Sequence, residues 1–228
     1  MTNNYLALVD DIVRAKNRLK AVFRSEVVDT NTTKFYEDRA RVKDLKNPNA
    51  RFVAESLYEQ IFALEKLKSE YRDKFKKNLK KYKPVQNLTS VPGIDLIRAS
   101  IITAVVCTPQ RFKNKHQFWG YSMLVRHIQI SAGRIYGNKR IHGRKELRDI
   151  FLGAAESALR TETSLRTYYD ALRARGVAHK EAKIATARKI ASLCLCLLKN
   201  NDTFKNDFDE QQTERTKFRK ELNLENRI

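Results

Sequence analysis

Residues that break regular structure are scarce in this sequence, and their scarcity constrains the fold more than any other feature. Only seven Gly and four Pro occur among 228 residues. Strand-and-turn architectures rely on these residues at their turns, whereas helix interiors exclude both. Leu, Ala, Lys, Arg and Glu are abundant instead, and all of them favour helices. The fold class is therefore predicted to be all or mainly α.

Two long periodic stretches occupy the N-terminal part of the chain. Apolar residues recur at three- and four-residue steps from Tyr5 to Arg24, and again in a heptad rhythm from Phe52 to about Lys81. Such spacing places them on one face of each helix. The two helices are expected to pair, either as an antiparallel helical hairpin within one chain or as a coiled coil that makes a homo-oligomer. Residues 25–49 are predicted to connect them, with a short helical turn.

The predicted organisation has three parts: linking helices at 1–85, a compact helical domain at 86–200, and a charged mobile tail at 201–228. Pro84 is expected to end the second long helix. That helix closes on seven cations between Arg72 and Lys83 against the single Asp73. A run of this kind forms either a solvated helix end, where cations suit the helix dipole, or a phosphate contact.

The charge balance indicates a polyanionic partner. Lys and Arg number 46 against 26 Asp and Glu, a formal net charge of +20, and nucleic acid is the leading candidate. A basic membrane-surface protein is the rival interpretation, but no segment approaches the roughly 18 uncharged apolar residues of a spanning helix. Cys107, Cys194 and Cys196 fit no zinc-ligand spacing and are expected to be reduced, mostly buried, cytosolic thiols.

Val-Pro-Gly-Ile at 91–94, followed by Asp95 and an apolar helix, is typical of a helix-hairpin-helix element. Backbone N–H groups at such a turn can hold a phosphate without reading sequence, which makes Gly93 a candidate contact. A plain interhelical turn is the alternative. Asp95 would repel a phosphate unless it caps the following helix.

The stretch from Arg111 to Arg148 combines ten cations with one acid, four of the seven glycines and the only tryptophan. Guanidinium groups can clamp phosphate oxygens, and aromatic side chains such as Trp119, Tyr121 and Tyr136 can stack on unpaired bases. A solvated basic surface is the alternative. The predicted nucleic-acid contacts in this stretch are Arg111, Lys113, Lys115, Arg126, Arg134, Lys139, Arg140, Arg144, Lys145 and Arg148.

The order of several short motifs resembles the C-terminal domain of insertion-sequence 110 transposases, a family that includes Piv-type DNA invertases. They are Val-Pro-Gly-Ile at 91–94, Arg-Phe-Lys at 111–113, Phe-Trp-Gly-Tyr at 118–121, Ser-Ala-Gly at 131–133 and Arg-Ile-His-Gly at 140–143. The stretch 165–176 is similar to the same domain's ending. The helices before residue 86 are similar to the family's linking helices.

The resemblance gives Ser131 a role that composition does not, since composition alone makes it a turn residue. In the family the corresponding serine is thought to attack a DNA phosphate and form a phosphoserine link; Ala132 here replaces the family's usual first glycine. The family's ribonuclease-H-like domain, with its metal-binding Asp-Glu-Asp-Asp tetrad, is expected to be absent. No cofactor is therefore predicted in this chain, and Mg²⁺ is implied only for a separate acidic-tetrad subunit.

Two functions follow from these patterns. One is a DNA-binding transposase or recombinase of a bacterial insertion sequence that supplies Ser131 for strand transfer. The alternative is a truncated, catalytically inactive remnant that binds DNA or RNA. The resemblance also implies a structured noncoding RNA as partner. A cytoplasmic, nucleoid-associated location is expected, and the lack of a long apolar segment predicts no membrane contact. A purely structural helical protein is the third interpretation.

Overall fold

The computed structural model describes residues 1–32, 34–125, 127–139 and 142–204, with side chains except at 127–131 and 135–139. The long helices at the N-terminal end are α1 (Thr2–Ser25) and α2 (Pro48–Lys81), joined through a 3-10 helix (Arg39–Asp44). After them come α3 (Lys83–Thr89), α4 (Leu96–Val106), a 3-10 turn (Pro109–Arg111), α5 (Lys115–Tyr121), strands β1 (His127–Ser131) and β2 (Arg134–Lys139), α6 (Lys145–Ala158), α7 (Ser164–Ala174) and α8 (His179–Asn200).

The prediction of a mainly α fold is confirmed, and the exception is one antiparallel hairpin of β1 and β2. Its register runs from His127 opposite Lys139 to Ser131 opposite Arg134, with an irregularity between Gln129 and Ile130. Within the described ranges these are the only strands. The hairpin lies inside the stretch that the sequence indicated only as basic and glycine-bearing.

The first compact unit spans Met1–Lys77. Near the start of α1, the Tyr5 ring lies 5.3 Å from that of Phe75, and further along Lys16 Nζ donates to Glu65 Oε1 at 2.8 Å. Later residues of α1 therefore meet earlier residues of α2, so the two helices run antiparallel. Because α1 and α2 each bury one apolar stripe, the contact follows from the periodicity of the sequence.

The connection between α1 and α2 contributes to the core as well as joining the helices. Phe35 and Leu45 are fully buried in it, against the cluster that includes Phe23. The Tyr58 hydroxyl donates to the backbone oxygens of Phe35 and Asp38 at 2.9 and 3.1 Å. The predicted short helical turn is the 3-10 helix Arg39–Asp44.

The second compact unit begins at Asn78 and is organised around α8, which contacts α3, α5, α6 and α7. Small buried residues on α8, such as Ala187 and Ala191, let the neighbouring helices approach closely. Cys194 is buried in this core, but Cys107 and Cys196 are exposed. The expectation of mostly buried thiols is therefore wrong. Cys107 lies at the exposed end of α4, and Cys196, two residues after Cys194, lies on nearly the opposite side of α8.

Pro84 lies at the start of α3 rather than at the end of α2. α2 stops at Lys81, as predicted, and Pro84 lies in the first turn of α3. That position suits proline, because the first-turn N–H groups have no intrahelical partner. The boundaries 1–85, 86–200 and 201–228 remain predictions, and the tail from residue 205 lies outside the described residues. In the described part of the chain, no helix is both long and apolar enough to cross a membrane.

Candidate nucleic-acid interface

The Val-Pro-Gly-Ile motif forms the turn between α3 and α4, in which the Ile94 N–H donates to Val91 O at 2.9 Å. Asp95 caps α4, since its Oδ1 accepts a hydrogen bond from the Arg98 backbone N–H at 2.8 Å. This is the capping role that the sequence left open for the carboxylate, and it satisfies one of the unpaired donors at the helix start.

Gly93 in this turn is required by packing. Its φ is +85°, and a Cβ at this position would lie 2.2 Å from the backbone oxygen of Ala154 on α6. Arg98 links this turn to α6, because its Nη1 donates to Gly93 O at 2.7 Å and to Ser157 Oγ at 3.0 Å. The glycine thus lets the turn rest directly on α6; its predicted phosphate contact stays a prediction.

Arg111, at the end of the 3-10 turn, lies over two aromatic rings. Its Cζ is 4.7 Å from the ring centroid of Phe112 and 4.5 Å from that of Tyr121. Phe112 is buried against Phe118, with ring centroids 5.0 Å apart, and its backbone oxygen accepts from Lys199 Nζ at 2.6 Å. The Phe112 ring beneath Arg111 is therefore packed in the core, and its backbone is held by α8.

Arg144 approaches the same tyrosine from the start of α6. Its Nε donates to Tyr121 Oη at 3.2 Å, and its backbone N–H donates to Tyr121 O at 2.7 Å. Gly143 makes this approach possible, since a Cβ there would lie 2.6 Å from Tyr121 O and 2.8 Å from Met123 Cγ. Burial raises the pKa of Tyr121, but the Arg144 hydrogen bond and the positive charges of Arg144 and Arg111 outweigh it and lower that pKa.

Trp119 contributes to the fold of this region. Its Nε1–H donates to Arg188 O and to Ser192 Oγ on α8, both at 3.0 Å. Lys115 Nζ and Arg188 Cζ lie 5.7 and 6.0 Å from its ring centroid. Because the indole is held by α8 and flanked by cations, base stacking by Trp119 remains only a prediction. The Tyr136 side chain lies outside the described residues.

The cations around α5 and the start of α6 form what we call the α5–α6 basic surface. Its members are Arg111, Lys113, Lys115, Arg144 and Arg148, all of them exposed. In the part of the chain that the structure describes, none of the five has a carboxylate within 4.0 Å. The neighbouring Lys145, also a predicted contact, pairs with Asp149 at 3.7 Å. The surface therefore carries positive charge that acidic side chains leave unbalanced.

Other predicted site residues lie on or beside the β-hairpin. Ser131 ends β1 and pairs with Arg134, which is exposed at the start of β2. Between them Ala132 and Gly133 have φ values of +49° and +74°, and the left-handed conformation costs alanine about 1–2 kcal/mol. The side chains of Ser131 and Lys139 lie outside the described set, as do the whole residues Arg126 and Arg140.

The structure also shows two contributions to this region that the sequence analysis did not predict, one from Arg188 and one from Tyr121. Arg188 on α8 donates from Nε to Leu124 O at 2.8 Å, which fixes the chain just before the hairpin. Tyr121 joins two of the predicted contacts, Arg111 and Arg144. No sequence signal gives this meeting, because the two arginines lie 33 residues apart in the sequence. Among residues 1–32, 34–125, 127–139 and 142–204 no cluster of His, Cys, Asp and Glu could hold a metal ion.

Comparisons with known proteins agree on one kind of relative. Residues 85–170 match the family model described as "Transposase IS116/IS110/IS902 family". The chain is 27% identical over 114 residues to "Insertion element IS110 uncharacterized 43.6 kDa protein" of Streptomyces coelicolor, a match that covers 50% of this chain and 28% of that protein. It is 26% identical over 159 residues to "Insertion element IS900 uncharacterized 42 kDa protein" of Mycobacterium paratuberculosis, covering 68% of this chain and 39% of that protein. Each match thus covers less than half of the relative's length.

Proposed function

We propose, on the premise that residues 85–170 are a domain of the IS116/IS110/IS902 transposase family, that this chain binds DNA through the α5–α6 basic surface. In this proposal Ser131, on the adjoining hairpin, is the nucleophile of strand transfer. The match of residues 85–170 to this family model agrees with the resemblance that the motif order predicted. DNA binding and the role of Ser131 are what we add to it.

The observation that carries the proposal is the unbalanced charge of the α5–α6 basic surface. Exposed guanidinium and ammonium groups without a carboxylate in ion-pair contact attract a polyanion, and binding to phosphates releases the counterions that these groups otherwise hold. Within the described residues, some cations elsewhere in the second unit do form ion pairs. Lys183 and Arg160 share Glu156 at 2.6 and 3.6 Å, and Arg166 binds Asp170 at 2.7 Å.

The chemistry proposed for Ser131 is a transesterification. Serine Oγ attacks a DNA phosphorus and forms an O–P bond, while the bond from phosphorus to a sugar oxygen breaks and the departing oxygen takes up a proton. A neutral serine hydroxyl is a weak nucleophile, so the step needs a base and positive charge around the pentavalent transition state. Cations of the α5–α6 basic surface supply charge in this scheme, and a separate acidic-tetrad subunit carries the divalent metal.

DNA binding is tested by fluorescence anisotropy of a labelled duplex over a range of salt concentrations. Each phosphate that a cation neutralises adds about 0.9 to the steepness of the log–log salt dependence. Lys113→Ala with Lys115→Ala should therefore weaken binding and reduce the slope by about 1.8. The matched control is Arg175→Ala with Lys180→Ala, which removes two exposed cations, one directly after α7 and one in α8. Equal effects of the two pairs would refute a localised interface.

The role of Ser131 is tested by strand transfer with the acidic-tetrad subunit supplied. Wild type should leave a covalent phosphoserine adduct on DNA, and Ser131→Ala should lose both adduct and product while it binds DNA normally. The control is Ser56→Ala, which changes an exposed serine of α2 in the first unit. Normal product from Ser131→Ala would remove this serine from the mechanism. Binding without any adduct from wild type would instead support the inactive binding module.

A further inference from the structure

We propose that Tyr121 is a positioning residue that fixes Arg111 and Arg144 as two halves of a single phosphodiester-binding site. This inference rests on the proposed function, because it assumes that the α5–α6 basic surface contacts DNA. It adds a residue and an arrangement that the charge of the surface alone does not give. The ligand of the site is one backbone phosphate of the bound strand.

The first step is that Tyr121 is held firmly before any ligand binds. Its ring packs on buried Phe112, with centroids 5.2 Å apart, and its hydroxyl donates to Val105 O at the end of α4 at 3.4 Å. The backbone contact from Arg144 N to Tyr121 O, at 2.7 Å, fixes the start of α6 to the same residue. Tyr121 thus joins α4, α5 and α6 at one place.

The second step is that both guanidinium groups use the phenol, in different ways. Arg144 donates from Nε to the hydroxyl at 3.2 Å, so its two terminal nitrogens stay available for a ligand. Arg111 stacks on the ring with Cζ 4.5 Å from the centroid. A planar guanidinium that rests on an aromatic ring keeps its edge N–H groups free for bidentate contacts with phosphate oxygens.

The third step concerns charge. Two guanidinium groups that reach the same phenol repel one another, and in the described part of the chain no carboxylate lies within 4.0 Å of either. Such a pair becomes favourable when an anion binds between its members, and the lowered pKa of Tyr121 reports the same excess of positive charge. A phosphodiester, whose single negative charge is shared by two non-bridging oxygens, can accept hydrogen bonds from two guanidinium groups at once.

Salt dependence separates one shared phosphate from two independent ones. If Arg111 and Arg144 bind the same phosphate, Arg111→Ala combined with Arg144→Ala should reduce the log–log slope by about 0.9; two phosphates would give about 1.8. Either single variant should reduce affinity while changing the slope by less than 0.9, because the other arginine still neutralises the phosphate. Additive changes that sum to about 1.8 would overturn the shared site.

Tyr121→Phe tests the positioning role, since it keeps the ring and both positive charges. We expect the slope of wild type and an affinity lower by about 3- to 10-fold, the range for one hydrogen bond. The loss should shrink in an Arg144→Ala background, where the hydroxyl has no guanidinium to hold. Tyr169→Phe is the matched control, because it removes another hydroxyl of the second unit, bonded to His179 Nδ1 at 2.5 Å.

The outcomes distinguish this inference from the proposed function. Wild-type protein that binds DNA weakly and without salt dependence would refute the proposed function. Steep salt dependence in wild type, with Tyr121→Phe binding as tightly as wild type, would leave DNA binding intact and refute the positioning role. Thermal unfolding followed through Trp119 fluorescence checks that each variant is folded, so that loss of affinity is read only from folded protein.

Discussion

Gly93 lies where the α3–α4 turn touches α6, and Gly93→Ala measures how much stability that contact requires. A left-handed φ of +85° costs alanine about 1–2 kcal/mol. The added Cβ would also meet Ala154 O at 2.2 Å and Ala158 Cβ at 3.2 Å, and overpacking of this kind costs about 1–3 kcal/mol. Together the two effects predict a fall of about 2–5 kcal/mol in the free energy of unfolding of the second unit.

Gly176→Ala is the control, because Gly176 has a φ of +81° with nothing within 4 Å of the added Cβ. It should lower the free energy of unfolding only by the cost of the left-handed backbone conformation, about 1–2 kcal/mol. Urea unfolding can be followed through Trp119, the only tryptophan in the chain, which reports on the second unit. Equal losses for the two variants would refute the packing argument and leave the backbone conformation as the sole reason for glycine at 93.

Three further predictions concern the same unit. Asp95→Ala should lower the free energy of unfolding by about 1 kcal/mol and Asp95→Asn by much less, because asparagine also caps helices; equal losses in urea unfolding would contradict the cap. Cys107 and Cys196 should react with a thiol reagent in the native state, whereas Cys194, whose pKa is raised by burial, should react only after unfolding. Since the pKa of Tyr121 is lowered in the folded state, its contribution to stability should grow as pH rises through that pKa and be complete above about 10. The measurement is an ultraviolet difference titration of wild type against Tyr121→Phe. A Tyr121 phenol that ionises at no lower pH than a free tyrosine would contradict the prediction.

Some features of this protein are local properties of the sequence, and these were predicted correctly. The apolar period of α1 and α2 and the scarcity of glycine and proline indicated helices, and α2 ends at Lys81 as expected. Helix formation depends on residues three and four apart, so a single stretch of sequence carries the signal. The order of short motifs likewise predicted the family model that residues 85–170 match.

The β-hairpin was missed because strand pairing is not local. Ile128 and Ile130 alternate with polar residues over only five positions of β1, and the irregularity beside Gln129 interrupts the register. The four glycines from Gly120 to Gly143 indicated close contact with a ligand rather than a hairpin. The structure gives Gly143 a packing reason instead, close to the Tyr121 backbone.

By itself, then, the sequence determined the helical class and the excess of positive charge, since both depend on composition and short-range spacing, and its motif order predicted the match of residues 85–170 to a transposase family model. Only the tertiary structure decided which charges act together. Arg111 and Arg144 meet at Tyr121 because α4, α5 and α6 converge there, and Gly93 is needed because a backbone oxygen from α6 occupies the space of its side chain. Contacts between distant segments arise when the core packs, and no pattern within either segment specifies them.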